Sequence, residues 1–379
     1  MSEPATVPVC FVASNAQLGG TELFLESVLG ALESPWIDRV LVLGEGPFAD
    51  RLASAGHAVD TIASGRRLGM LKSAFRMRRL LRRRPPAVIH ANGVKAALVA
   101  VLATTGTRIP VIWQKQDCAR DGRLALFIAR RCGLVVGVSN AVLATFDGQH
   151  SLERTVIPNA IPVYEVDREE ARARLLTTIG VQGEAAVVGQ VARLHPAKGQ
   201  LELLEVAARL RPDIPDLHLV FIGDPDPCEP DYPSRLRSRC ADLGIDGSVR
   251  FLGHRNDAVT LMAGCDVLAL PSLPDPVSGW REGFPLSSLE AMAVGTPVVG
   301  YDEPALVEQL GNCGRLVPSG DREALCSVLG EVLADASVQE DMRACGRRRG
   351  RRYELPGAVR QLKDAFVETA VRRPGRVSG

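Results

Sequence analysis

The sequence has almost no net charge. Its 45 lysines and arginines stand against 44 acidic residues, a formal charge of +1, so no general attraction to nucleic acid follows. No uninterrupted apolar run reaches the roughly 20 residues that cross a bilayer. The opening M-S-E-P-A-T-V-P has neither a basic start nor a long apolar core and does not read as a secretory leader. The nine cysteines form no C-x-x-C and no Cys/His cluster at zinc spacing, so they are expected to be reduced, structural thiols. The G-x-G-x-x-G of a dinucleotide-dependent oxidoreductase is missing after the first apolar run, where Leu18-Gly19-Gly20-Thr21-Glu22 stands instead. A phosphate loop of the G-x-x-x-x-G-K-[ST] type is also missing. The expected place is the cytoplasm, with any membrane contact peripheral to its inner face.

At 379 residues the chain is long enough for two domains. Its 46% hydrophobic content and 36 glycines fit a globular α/β protein. Short apolar runs alternate with helical stretches. Strands are expected at Val7–Ala13, Val40–Leu43, Val59–Ile62, Ala87–His90, Val111–Trp113 and Leu134–Val138. The alternation pauses from Arg154 to Asp167, where Val163–Val166 reads as a connector. It resumes at Ala186–Gln190, His218–Ile222, Val249–Leu252, Val267–Leu270, Pro297–Val299 and Arg315–Val317. Such alternation gives parallel sheets covered on both faces, with ligands at the carboxyl ends of the strands. Two doubly wound domains facing a cleft are expected, residues 1–165 and 166–355, with an amphipathic helix in the remaining 356–379.

The richest stretch is Arg281–Gly300, R-E-G-F-P-L-S-S-L-E-A-M-A-V-G-T-P-V-V-G. Pro285 suits a first helical turn, and Leu286, Leu289, Met292 and Ala293 supply an apolar stripe at helical spacing. Gly295 is placed to end the helix in a left-handed conformation, before the buried pair Val298-Val299. Glu282 precedes the helix and Glu290 lies within it. Gly283 and Phe284 lead into the free N–H groups of the first turn, an anion site. A carboxylate, a permissive backbone and a helix N-terminus in a row suit a ligand that carries both hydroxyls and phosphate.

Other segments fit the same chemistry. After the first strand, Gly19-Gly20 lets the backbone bend close to a ligand, and Thr21 is placed as an N-cap. His90 and Asn92 end a strand, and either can hydrogen-bond a hydroxyl or phosphate. Arg193 and Lys198 stand five positions apart on the loop after a buried strand, where arginine can grip phosphate in a bidentate way and lysine adds a point charge. Leu252-Gly253 ends another strand. Trp280 closes a Pro/Gly-rich loop, Ser272–Trp280, as a platform or a plug.

Taken together, these segments resemble the retaining nucleotide-sugar glycosyltransferases of the two-domain GT-B fold, family four, also called glycosyl transferases group 1. The family's hallmark E-G-[FL]-[GP]-x-x-x-x-E-A-M-A-x-G-x-P-V-[VI] is matched at nearly every position from Glu282 to Val299. R-x-x-x-x-K-G is matched by Arg193, Lys198 and Gly199, and G-G-x-E by Gly19 to Glu22. The resemblance implies an acceptor-side first domain, on which the last helix packs back, and a nucleotide-sugar-binding second domain. It implies that Arg193 and Lys198 neutralise the diphosphate and that Glu282 holds the sugar. Glu290 would hold the ribose, Leu252-Gly253 the base, and Gly20, Gly283, Phe284, Pro285 and Leu286 would line the donor. No metal and no cofactor are implied, and Asp224-Pro225-Asp226 is not a metal clamp. The donor is a nucleoside-diphosphate sugar, a uridine nucleotide being commonest in the family and guanosine-diphosphate mannose next; the acceptor is open among lipid, polysaccharide and small molecules. The chain departs from the family where Asn92 replaces the second histidine of H-x-H, since asparagine carries neither a proton nor a charge. A sugar-nucleotide epimerase on the same architecture would lack the E-G-F-P run. A non-catalytic nucleotide-sugar-binding protein would bind the nucleotide without transfer.

The positive charge clusters in residues 66–84, R-R-L-G-M-L-K-S-A-F-R-M-R-R-L-L-R-R-R. Leu68, Leu71, Phe75 and Leu80 fall near one side of a helix, with Lys72, Arg76, Arg79 and Arg83 nearer another. The helix either lies on anionic membrane or is solvated with its apolar side on the sheet.

Overall fold

The computed structural model describes residues 6–63, 67–118, 122–275 and 279–372. The chain forms two compact units, Met1–Pro162 with Glu354–Gly379, and Val163–Tyr353.

In the first unit the strands are β1 (Val9–Ala13), β2 (Ile37–Leu43), β3 (Val59–Ile62), β4 (Val88–Asn92), β5 (Val111–Lys115), β6 (Leu134–Gly137) and β7 (Arg154–Val156). They pair in the order β3-β2-β1-β4-β5-β6-β7, every pair parallel. Between them run α1 (Gly20–Ala31), α2 (Pro47–Ser54), α3 (Arg67–Arg83), α4 (Val94–Thr104), α5 (Arg123–Ala129) and α6 (Asn140–Leu143). β7 falls inside the expected pause, because three residues on a sheet edge leave almost no periodic signal. The core on one face joins Cys10, Val12, Ile89, Ala91, Val111 and Trp113 of the sheet to α3 and α4.

The second unit opens with α7 (Arg168–Ile179), capped by the Asp167 carboxylate and closed by left-handed Gly180. It continues through β8 (Ala186–Val191), α8 (Gln200–Leu210), β9 (Leu217–Ile222), α9 (Tyr232–Asp242), β10 (Val249–Phe251), α10 (Ala258–Ala263) and β11 (Val267–Leu270). Then come α11 (Leu286–Val294), β12 (Val298–Tyr301), α12 (Pro304–Leu310), β13 (Arg315–Val317), α13 (Arg322–Ala334) and α14 (Ala336–Gly350). Its sheet, again parallel, has the order β10-β9-β8-β11-β12-β13. The last helix, α15 (Leu355–Val371), belongs to the first unit, where Phe366 is fully buried edge-on to Phe11. Strand order reverses between β1 and β4 in one sheet and between β8 and β11 in the other. These are the switch points at which doubly wound sheets open a crevice.

Several local expectations are corrected. α1 begins one residue earlier than Thr21 and its N-cap is Gly19, with no side-chain cap. Pro285 is the N-cap of α11 rather than its first helical residue. α3 buries Ala74, Met77 and Leu81, with Met70 and Leu80 beside them, while Leu71 and Phe75 are 57% and 72% exposed. The stripe 70, 74, 77 and 81 follows the 3.6-residue turn more closely than 68, 71, 75 and 80 and lies on the side of α4. Arg66 and the side chain of Leu68 lie outside the described residues. The cysteines are not all reduced: Cys313 and Cys345, 32 positions apart, are joined by a disulfide between the turn after α12 and α14. Their Cα atoms are 5.1 Å apart, within bonding range. No spacing rule finds such a pair, because packing of α14 brings it together.

Candidate functional site

In the second unit the loops after β8 and β11 meet at the switch point. Gly199, φ +71°, lies so close to β11 that a Cβ would stand 2.0 Å from the Pro271 carbonyl oxygen. Only glycine fits there. The Gln190 amide donates to the Lys198 carbonyl at 2.6 Å and the Gln200 amide to the Arg193 carbonyl at 3.0 Å. The loop that carries both cations is therefore fixed by buried glutamines on β8 and α8.

This placement brings Lys198 onto Glu282. Their side chains form an ion pair, 17% and 11% exposed, and the Ser272 hydroxyl donates to the same carboxylate oxygen at 2.9 Å. The Lys198 ammonium also lies 4.5 Å from the centre of the Trp280 ring, a cation–π contact. Trp280 thus packs on the lysine; residues 276–278 of its loop lie outside the described residues. Arg193 bonds Asp226 at 2.6 Å and keeps half of its side chain exposed. Asp224 accepts the His254 backbone N–H at 2.9 Å. Among the described residues no group of three or more His, Cys, Asp or Glu could hold a metal ion.

The E-G-F-P segment leads into α11. Gly283 and Phe284 are buried, and Phe284 packs edge-on against Tyr353 at 5.3 Å. Pro285, with ψ 130°, turns the chain into the helix, so the N–H groups of Leu286, Ser287 and Ser288 begin α11 without an intrahelical partner. Gly295 closes the helix at φ 77°, the left-handed C-cap expected from the sequence. Four residues after Leu286, Glu290 lies one turn along the helix. Burial pushes its carboxyl up to about 7, partly offset by the Tyr164 hydroxyl at 3.5 Å. Tyr164 belongs to the stretch read as a plain connector. Leu252 and Gly253 follow β10; the Gly253 carbonyl accepts the Gly223 N–H at 2.8 Å, and Gly253 is left-handed at φ 64°.

Three candidates lie in the first unit. Gly20 is the first residue of α1. Asn92 is buried and bonded at both ends: its amide donates to the Thr21 carbonyl at 3.0 Å and its side-chain oxygen accepts from Gln116 at 2.9 Å. It braces the glycine loop from below. The expectation that His90 reaches a ligand is corrected. Its ring is 1% exposed, packed against Phe11 and Phe366 at 5.4 and 5.6 Å, and burial lowers its pKa to about 4. The strand expected at Ala87–His90 could not say that the last helix covers the His90 ring. The sequence also missed Asp226, Ser272 and Gln309, polar residues that only the packing places.

The family described as Glycosyl transferases group 1 matches residues 174–349, and a Glycosyl transferase 4-like domain matches residues 19–160. The D-inositol 3-phosphate glycosyltransferase of Corynebacterium urealyticum is 31% identical over 230 residues, 58% of this chain and 52% of that protein. The chain thus spans about half the length of the curated relatives it matches. Among solved structures, Alr3699/HepE of Anabaena in complex with UDP has a TM-score of 0.82 at 26% identity, covering 95% of this chain and 100% of that one. The same Anabaena protein in complex with UDP-glucose matches at 0.82 and 25%. Sucrose-phosphate synthase of Thermosynechococcus elongatus, 17% identical over 96% of this chain and 98% of its own, shares the fold at a TM-score of 0.77.

Proposed function

This chain belongs to the group 1 glycosyltransferases, with the two Rossmann-like sheets of the GT-B fold, and from that premise we propose that it transfers a hexose from a UDP-sugar to an acceptor hydroxyl with retention of configuration. The observation that carries the reading is the cluster at the switch point of the second sheet: Lys198 paired with Glu282, Arg193 nearby in sequence on the same loop, and the open N-terminus of α11 after Glu282. The bond from the anomeric carbon to the β-phosphate breaks, and negative charge grows on the leaving diphosphate. Arg193, Lys198 and the first N–H groups of α11, from Leu286 on, stabilise that charge, the electrostatic preorganisation that carries much of catalysis. Glu282 accepts hydrogen bonds from the sugar and Glu290 from the ribose. The acceptor oxygen enters on the leaving-group side and its proton passes to the leaving phosphate. Complexes of the Anabaena protein with UDP and UDP-glucose support the choice of base. No metal is assigned a role, since the two cations and the helix terminus supply the positive charge.

Calorimetric titration with nucleoside diphosphates and their sugars, with and without chelator, tests this reading. Binding of UDP that chelator leaves unchanged, together with transfer from a UDP-sugar, is expected. Failure to bind any nucleoside diphosphate would overturn it, and binding without transfer to any acceptor would reduce the protein to a nucleotide-sugar-binding one.

We further propose that α3 contacts anionic phospholipid. Lys72, Arg76, Arg79, Arg82 and Arg83 are exposed on the helix that also exposes Leu71 and Phe75. A ring and an aliphatic side chain set among cations suit the boundary between headgroups and acyl chains. Among the described residues no helix is long and apolar enough to cross a membrane, so the contact is peripheral. Each basic group near an anionic surface contributes about 1 kcal/mol. The chain is expected to sediment with vesicles of anionic phospholipid and not with phosphatidylcholine alone. Replacing Arg76, Arg79 and Arg83 by serine should lower retention sharply. No retention on anionic vesicles would return α3 to a solvated helix.

A further inference from the structure

Gln309 is 0% exposed on α12, outside every motif above. A buried amide is costly unless both of its ends are bonded, and here both ends reach the start of α11. Its side-chain nitrogen donates to the Pro285 carbonyl at 2.9 Å, and its side-chain oxygen accepts the Ser288 hydroxyl. The Ser288 oxygen also lies 2.9 Å from the Pro285 carbonyl oxygen, so its one proton is shared between the two acceptors. Gln309 is itself held. Arg349 of α14 donates to the Gln309 and Glu308 carbonyls, and Tyr353 adds a bond to the former at 3.4 Å. Gly311, φ 56°, admits this guanidinium, since a Cβ there would meet it at 2.8 Å.

We propose that Gln309 is a positioning residue for the donor's diphosphate; this rests on the reading of α11 as the phosphate seat given above. The Pro285 carbonyl and the Leu286 N–H belong to one planar trans peptide and point in opposite directions. Fixing the carbonyl from the side of α12 therefore aims the first free N–H of α11 the other way, toward the anion. Pro285 makes no side-chain cap bond of its own, so the aim of that peptide depends on Gln309 and Ser288. Arg349 anchors the arrangement through the end of α12, and no local sequence signal marks it.

The test compares uridine with uridine diphosphate on the full chain. Gln309→Leu is expected to weaken UDP binding about tenfold, the scale of one lost aiming bond, with uridine affinity unchanged. A merely structural role would lower both together or shift only the melting temperature. Ser288→Ala, which leaves the Gln309–Pro285 bond in place, keeps the test open should the leucine variant fold poorly, and a smaller loss of the same kind is expected. Equal losses for uridine and UDP, or no loss in either variant, would overturn the assignment while leaving the nucleotide-sugar reading intact. A native chain that binds no UDP would overturn both.

Discussion

Replacing Lys198 by alanine is expected to lower kcat by about 10²–10³-fold, the range found when one preorganised donor to a developing anion is removed. Two effects act together. The leaving diphosphate loses a point charge that the loop from Arg193 to Gly199 holds rigidly. Glu282 loses its cation partner in a site where its side chain is only 11% exposed. With the Ser272 hydroxyl as its remaining bond among the described residues, at 2.9 Å, the carboxylate loses the contact that fixes its position and is less able to hold sugar hydroxyls. Lys198→Arg should recover little, because a planar fork does not replace a compact ammonium between Glu282 and the Trp280 ring. Steady-state kinetics at saturating donor, with UDP affinity measured in parallel, gives the answer. A kcat near the native value would remove Lys198 from the charge-stabilising machinery.

The second expectation concerns acid. His90 has a folded-state pKa of about 4, set by burial, against about 6.5 in the unfolded chain. Between these values the unfolded chain takes up a proton that the folded one refuses. The contribution is therefore fully present above pH 6.5 and is lost as the pH falls toward 4. About 2.5 pH units at ~1.4 kcal/mol each amount to roughly 3 kcal/mol at the acid end. Carboxylates elsewhere add their own slopes, so the comparison is with His90→Leu, which keeps an apolar body between Phe11 and Phe366. Urea unfolding of both proteins at pH 7 and pH 4.5 isolates the difference. The variant should lose clearly less stability on acidification than the native chain, and parallel losses would show that the ring is not buried in neutral form.

His90 also shows where the sequence was legible and where it was not. The strand expected at Ala87–His90 placed it correctly on β4. Whether its ring meets ligand or core depends on α15, which arrives more than 260 residues later with Phe366. The same holds for α3. Its helicity was legible over 67–83, but the buried side follows α4, and Phe75 emerged on the outside.

The sequence by itself determined the features whose physics is local. Alternating apolar runs and helices specified two parallel sheets, because a β-strand buried on both faces reads as a short continuous apolar run. The turn chemistry of Gly295 was legible because left-handed backbone favours glycine. Glu282, Lys198 and Arg193 could be singled out because the E-G-F-P and R-x-x-x-x-K-G runs that carry them are contiguous in sequence. Only the tertiary structure decided which of these residues touch. It joined Lys198 to Glu282 across 84 positions, Cys313 to Cys345 across 32, and Gln309 to Pro285 across 24. Contacts of this kind depend on how helices settle on a sheet, and the free energy that settles them is spread over the whole core rather than written in any one segment.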